Sequence, residues 1–214
     1  MSQSSIATCT LEQHYWQQGI IRVGGVDEVG RGPLAGPVVA AVVLLNPDDP
    51  LTGLAGLNDS KRLSPHQRQQ LAGAIRQYAL SVAVGQATVD EIDHHNIRMA
   101  TLLAMKRAVT NLVLQAEHVL IDGRDIPSLL PCPATAIVRG DACCATIAAA
   151  SIVAKVARDQ MMVELDQRYP GYGWSQNSGY PTPQHLRALE QLGITPEHRR
   201  SFAPVRRLYL ESIQ

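Results

Sequence analysis

With 214 residues, 45% of them hydrophobic, the chain is long enough to bury one substantial core, which makes a single globular domain the expectation. Its nineteen basic and nineteen acidic residues cancel, so composition gives no electrostatic reason to expect a nucleic-acid partner, and any polyanion site must come from local clustering. The N-terminus lacks a secretory leader's layout, no apolar run reaches the roughly 18 residues of a membrane span, and Cys9, Cys132, Cys143 and Cys144 show neither metal-site nor disulfide spacing, which reads as a cytoplasmic protein with free thiols.

Residues 1–20 carry Ser, Gln and Thr among scattered apolar residues and read as a lead-in or short helix, with the folded domain over 21–214. "VGGVDEVG" and "GPVVAAVVLL" are short apolar runs bounded by Gly and Pro, the pattern of buried strands, and a hairpin through the glycine-rich turn fits between them. "NPDDPLTGLAGLNDSKRLSP" is loop by its turn residues, and Ser64-Pro65 then matches a helix N-cap with proline at the first position, predicting a helix to about Tyr78. A third strand is predicted over Leu80–Ala87, followed by a helix whose Ile97, Leu102, Met105, Val109 and Leu112 fall on one face. "HVLID" and "TAIV" are two further strands. From Ala145 to about Arg168 there is no Gly or Pro, and Ala, Ile, Val and Met dominate, predicting a long buried helix. "YPGYGWSQNSGYPTP" reads as loop throughout, and helices over Pro183–Leu192 and Pro204 to about Ile213 finish the chain. This order gives one α/β domain around a central mixed sheet.

Acids recur beside the apolar strands: Asp27 and Glu28 in the first, Asp122 at the end of "VLID", Asp141 just past "TAIVRG". Taken singly, Asp122 before Gly123 reads as a turn residue and Asp141 as a cap on the long helix. The adjacent pair is different, because neighbouring strand residues point to opposite faces and one of the two must face inward. Buried carboxylates need cations, protonation or solvent. An all-oxygen set favours Mg²⁺ or Mn²⁺ over zinc, and two such ions can activate water and stabilise a leaving oxygen in phosphodiester hydrolysis.

The blocks "GVDEVGRGPLAGPVV", "GLNDSKRLS", "EIDHHNI", "VLIDG", "RGDACCATIAAASIVAKVARD", "GYPTPQHL" and "HRRSFAPV" together resemble, in order, those of ribonuclease HII, the bacterial type 2 ribonuclease H, from about Val23 to Val205. The resemblance implies a ribonuclease H-like α/β fold, a mixed sheet with helices on both sides. The implied activity is cleavage of RNA in RNA–DNA hybrids and at single ribonucleotides in duplex DNA, leaving 5′-phosphate and 3′-hydroxyl ends. It makes Asp27, Glu28, Asp122 and Asp141 the catalytic acids, the first three as metal ligands for Mg²⁺ or Mn²⁺, and Asp141 a ligand of a second ion or a positioner of its water.

By the same resemblance, the backbone of Gly30, Arg31 and Gly32 would read the 2′-hydroxyl, the group that distinguishes RNA from DNA at a given position. Ser60 and Lys61 would contact phosphate, and Tyr180 would pack on a sugar beside the cut. The chain departs from the usual "HKGY" at Asn177-Ser178, which bears on any phosphate contact from that loop. It also carries Cys143-Cys144 where relatives vary, and shows no clamp-binding peptide; a monomer is expected. Two other readings compete. A module that holds hybrids without cutting would need the loop substitutions to matter more than the four acids. A nucleotide-phosphate-binding α/β protein lacks both GxGxxG and GxxxxGK[ST].

Overall fold

A computed structural model describes residues 7–57 and 63–212. Ser60 and Lys61 lie outside the described residues. In chain order the elements are α1 (Thr10–Trp16), β1 (Val23–Val29), β2 (Val38–Leu44), α2 (Pro65–Tyr78), β3 (Ser81–Ala87), α3 (Val89–His95), α4 (Ile97–Thr110), β4 (His118–Asp122), β5 (Ala134–Ile137), α5 (Ala145–Arg168), α6 (Trp174–Asn177), α7 (Pro183–Leu192) and α8 (Ala203–Ser212). The predicted strands and long helices fall within a residue or two of these bounds. The expected mixed sheet with helices on both sides is what forms.

The five strands run in the order β3-β2-β1-β4-β5. β1 and β2 form the antiparallel hairpin, Glu28 opposite Ala40, and β3 extends it antiparallel. β4 and β5 join on the other side, parallel to β1. β2 is apolar at every position because both its faces are covered. One face packs on α5, α2 and the N-terminal segment, the other on α4 with Ile92 of α3. Two strand glycines let the helices approach this closely. A Cβ at Gly25 would lie 2.1 Å from the carbonyl carbon of Thr146 in α5, and one at Gly85 would lie 2.3 Å from the amide nitrogen of Ala108 in α4. Alanines on both helices complete the fit.

Local chemistry sets the helix ends. Ser64 and Gln67 form a reciprocal capping box with Pro65 at the first position of α2, and Thr88 and Glu91 repeat the box at α3. The α3 turns went unpredicted because only Val89 and Ile92 are buried, too few for a periodic signal. The expectation of continuous loop from Tyr169 to Pro183 is corrected by α6, a single turn anchored by fully buried Trp174, whose backbone N–H donates to Asp166 Oδ1 at 2.8 Å.

The start of α5 is capped from a distance. Cys144 occupies its N-cap without its side chain capping the helix, and Glu12 of α1 supplies the acceptor instead: Oε1 takes the Thr146 N–H at 2.7 Å, the Thr146 hydroxyl at 2.9 Å and the Cys144 thiol at 3.2 Å. Thr8 pairs with Cys144 in a parallel bridge and accepts from Ala145 N–H. Glu12 is fully buried, and its Oε2 has no hydrogen-bond partner among the described residues. A carboxylate tolerates such a site because the helix N-terminus carries partial positive charge.

Tyr172, Trp174, His185 and His198 stack into a buried aromatic cluster under α7. Burial first, and then neighbouring His185, push the His198 pKa down to about 3. The unfolded chain binds this proton near pH 6.5, so the contribution is complete above that pH and is lost as pH falls toward 3, by up to about 1.4 kcal/mol per unit. The urea midpoint is expected to fall from pH 7 to pH 5, and to fall less in His198→Gln; equal shifts in the two proteins would contradict the assignment.

Candidate active site

The parallel pairing of β1 with β4 brings the dispersed acids together. Val26 lies opposite Ile121, so Asp27 and Asp122 leave adjacent strands at the same end. Oxygens of Asp27, Glu28 and Asp122 all lie within 4.8 Å of one another. Asp141 sits in a one-turn 3-10 helix, Gly140–Ala142, between β5 and α5. The alternative of Asp141 as the α5 cap fails, since Cys144 holds that position. Asp122 Oδ1 accepts the Gly140 N–H at 2.6 Å, which ties the turn carrying Asp141 to the end of β4.

Alternation places the pair as expected: Asp27 is 7% exposed and Glu28 only partly buried. Asp27 is held well above the usual carboxylate range, by burial first and then by Glu28 and Asp122. Burial also raises Glu28, opposed by Arg31, whose Nη1 lies 3.2 Å from Glu28 Oε1. Burial raises Asp122 against the opposing Gly140 N–H. Carboxyls that resist ionisation in each other's company are ones that a cation placed among them would favour in their charged form. The donor set is all oxygen, partly buried and convergent, so hard divalent ions fit it.

These acids share a cleft of about 600 Å³ with three cations, Arg68, Arg139 and Lys155. Acids for metal and cations for phosphate in one cleft suit a phosphodiester substrate. Arg68 and Arg139 were not singled out from the sequence; Arg139 has φ 58 just before Gly140, and its only written signal is the "RGD" turn.

The glycine loop and the tyrosine loop meet beside the acids. A Cβ at Gly32 would lie 3.3 Å from Cε1 of Tyr180, whose residue is 44% exposed. Two arginines with no exposed surface hold this junction from below. Arg158 donates to the carbonyls of Ala35, Pro37 and Ser178. Arg199 donates to those of Gly30, Arg31 and Gly36. Nearby cations pair with acids as surface charges ordinarily do, Lys155 with Asp159 and Arg107 with Glu91. Arg158 and Arg199 instead spend their donors on backbone. Burial pushes their pKa values down to about 10 and about 9, leaving both charged at neutral pH. Nothing in the sequence separates a buried guanidinium from an exposed one.

Ser178 takes the left-handed conformation at φ 50, and its hydroxyl lies 3.3 Å from Asp159 Oδ1. Asn177 accepts the Gly179 N–H and donates to the Tyr172 carbonyl. Of the two substituted positions, Asn177 thus closes its own turn and the Ser178 hydroxyl ties that turn to α5. Cys143 and Cys144 are free thiols, and burial raises both pKa values, which leaves them poor nucleophiles. Among the described residues no helix is long and apolar enough to cross a membrane.

A family model described as Ribonuclease HII matches residues 24–205. A curated ribonuclease HII of Ruegeria sp. strain TM1040 is 54% identical over 200 residues, 93% of this chain and 85% of the relative. The crystal structure of ribonuclease H2 from Pyrococcus horikoshii OT3 superimposes with a TM-score of 0.77 at 28% identity, over 90% of this chain and 99% of that one. Ribonuclease HII from Archaeoglobus fulgidus, solved as a complex with PCNA, gives 0.71 at 28% identity over 83% of this chain and 93% of that one.

Proposed function

The chain belongs to the ribonuclease HII family, and on that premise we propose that it nicks duplex DNA on the 5′ side of single embedded ribonucleotides, using a two-ion site on four carboxylates. As a family member it is a divalent-metal-dependent endoribonuclease that hydrolyses RNA in RNA–DNA hybrids. The finer reading assigns Asp27, Glu28 and Asp122 as ligands of Mg²⁺ or Mn²⁺ and Asp141 as the fourth acid, in a catalytic domain over 21–214 acting as a cytoplasmic monomer. Bound ions would activate the attacking water and stabilise the leaving 3′-oxygen, leaving 5′-phosphate and 3′-hydroxyl ends.

The protein's own part is placement. The Asp27 and Asp122 carboxylates leave rigid adjacent strands, and Gly140 N–H fixes the second of them. Arg31 restrains Glu28. The closeness of the Tyr180 ring to Gly32, where an added Cβ would lie 3.3 Å from Cε1, is the observation that carries the junction reading. A ribose whose 2′-hydroxyl meets backbone at Gly30, Arg31 and Gly32 would set its neighbouring sugar on the phenol ring, and an extra hydroxyl on that neighbour would crowd it. Ser60 and Lys61 stay in this reading as phosphate contacts.

The test is cleavage of a DNA duplex bearing one internal ribonucleotide beside an RNA–DNA hybrid, in Mg²⁺ and separately in Mn²⁺. One nick 5′ of the lone ribonucleotide is expected. Cleavage of the hybrid alone would discard the junction reading and keep the metal site.

A further inference from the structure

Outside the acidic cleft, under the Tyr180 loop, lie two fully buried histidines, His185 on α7 and His198 ahead of α8. The carboxylate chemistry uses neither. Buried ring nitrogens need partners, and the partners here set one direction of donation. The Thr195 amide reaches His198 Nδ1 at 3.0 Å, and the Thr195 hydroxyl lies 2.9 Å away. An amide only donates, so Nδ1 accepts and the single proton of the uncharged ring sits on Nε2. That nitrogen faces His185 Nε2 at 3.2 Å, which the Trp174 indole N–H also reaches at 3.0 Å. His185 Nε2 is therefore the acceptor, and its proton lies on Nδ1, 2.9 Å from the carbonyl oxygen of Tyr180. Burial holds both rings below the ordinary histidine range, consistent with one proton each.

The chain of donation ends on the backbone of the residue that faces Gly32. The Tyr180 carbonyl accepts the Thr182 N–H at 2.8 Å as well as His185 Nδ1–H, and the neighbouring carbonyls are also held: Gly179 accepts from Leu34 N–H at 2.8 Å, and Ser178 accepts from Arg158 Nη1 at 3.0 Å. The Tyr180 ring, by contrast, is too exposed for packing to fix it. Its place follows from its backbone.

We infer that His185 is a positioning residue for Tyr180, its Nδ1–H aiming the Tyr180 peptide so that the phenol ring meets Gly32, and that the relay from Thr195 through His198 keeps that proton in place. The inference rests on the reading of Tyr180 as the sensor of the ribonucleotide–deoxyribonucleotide step, and makes His185 a determinant of specificity through it.

Asn and Gln at position 185 separate the two nitrogens, since the Asn amide stands near Nδ1 and the Gln amide near Nε2. The measurement is the ratio of initial rates on the single-ribonucleotide duplex and on the long hybrid, well below each variant's melting temperature. His185→Gln is expected to lower that ratio on the order of five- to ten-fold, the worth of one hydrogen bond, with His185→Asn close to wild type. In a Tyr180→Ala background the Gln substitution is expected to change the ratio no further. Equal ratios in wild type and His185→Gln, or an undiminished effect of Gln without the Tyr180 ring, would overturn the inference. A wild-type enzyme that cuts only the long hybrid removes the junction reading itself, and this inference with it.

Discussion

Asp27→Asn is expected to lower hydrolysis of an RNA–DNA hybrid by on the order of 10³-fold or more, while raising the melting temperature of the metal-free protein at neutral pH. Asn keeps the shape and the acceptor that Glu28 N–H reaches at 2.7 Å, so the fold has no reason to suffer. What it loses is the charge at the centre of the cluster. Without metal, the folded protein holds the Asp27 proton to a pH well above the point at which the unfolded chain, near 3.9, releases it. The folded state then binds more protons than the unfolded one, and stability present at low pH is lost as pH rises through the folded pKa. Asn abolishes that loss. Divalent ions are expected to reverse the picture for the wild type, stabilising it in proportion to the logarithm of their concentration over Kd, and to do much less for the variant. Melts in EDTA and in Mg²⁺, beside a hybrid cleavage assay, test both halves; activity within ten-fold of wild type would remove Asp27 from the metal site.

Arg199→Lys is the second large effect, and it arises away from the acids. The planar fork of Arg199 reaches three carbonyls, those of Gly30, Arg31 and Gly36, at 2.6 to 3.1 Å. An ammonium is a single point on a flexible stem and cannot satisfy three acceptors spread around a loop. Unpaired buried carbonyls cost about 1–3 kcal/mol each, so the expected loss is about 3–5 kcal/mol of stability. Hybrid cleavage is expected to fall on the order of 10²-fold, because the loop beside Glu28 is no longer held. Urea unfolding reads the first number and steady-state kinetics the second. A variant within 1 kcal/mol of wild type would mean that the loop holds its own shape.

Much of the fold was legible because its signals are local. Continuous Val and Ala runs between Gly and Pro marked β1 and β2, Ser64-Pro65 marked the start of α2, and unbroken helix formers marked both ends of α5. The site was legible only in part. Strand alternation exposed the oddity of Asp27 beside Glu28, but Asp122 and Asp141 read equally well as turn and cap residues. Their meaning comes from the parallel pairing of β4 with β1, a contact between segments far apart in the chain, which no periodicity encodes. The resemblance to a family supplied that link. Arg158, Arg199, His185 and Glu12 were invisible for a related reason: each is polar, buried and satisfied by distant partners, and local pattern reads such residues as surface.

The tie between Glu12 and the start of α5 has a consequence for how the protein is made. Its two ends are 134 residues apart in the chain. At roughly 5–20 residues per second, a ribosome needs about 7–27 s to synthesise the stretch between them. During that interval the nascent N-terminal segment has a cap to offer but no helix to receive it, so Cys9 and Trp16, which pack into the finished core, must wait uncovered. The first of the described elements in chain order is thus among the last to be secured. A stalled or truncated chain ending before Thr146 would present this segment unsheltered, a ready mark for the chaperones and proteases that sort unfinished protein.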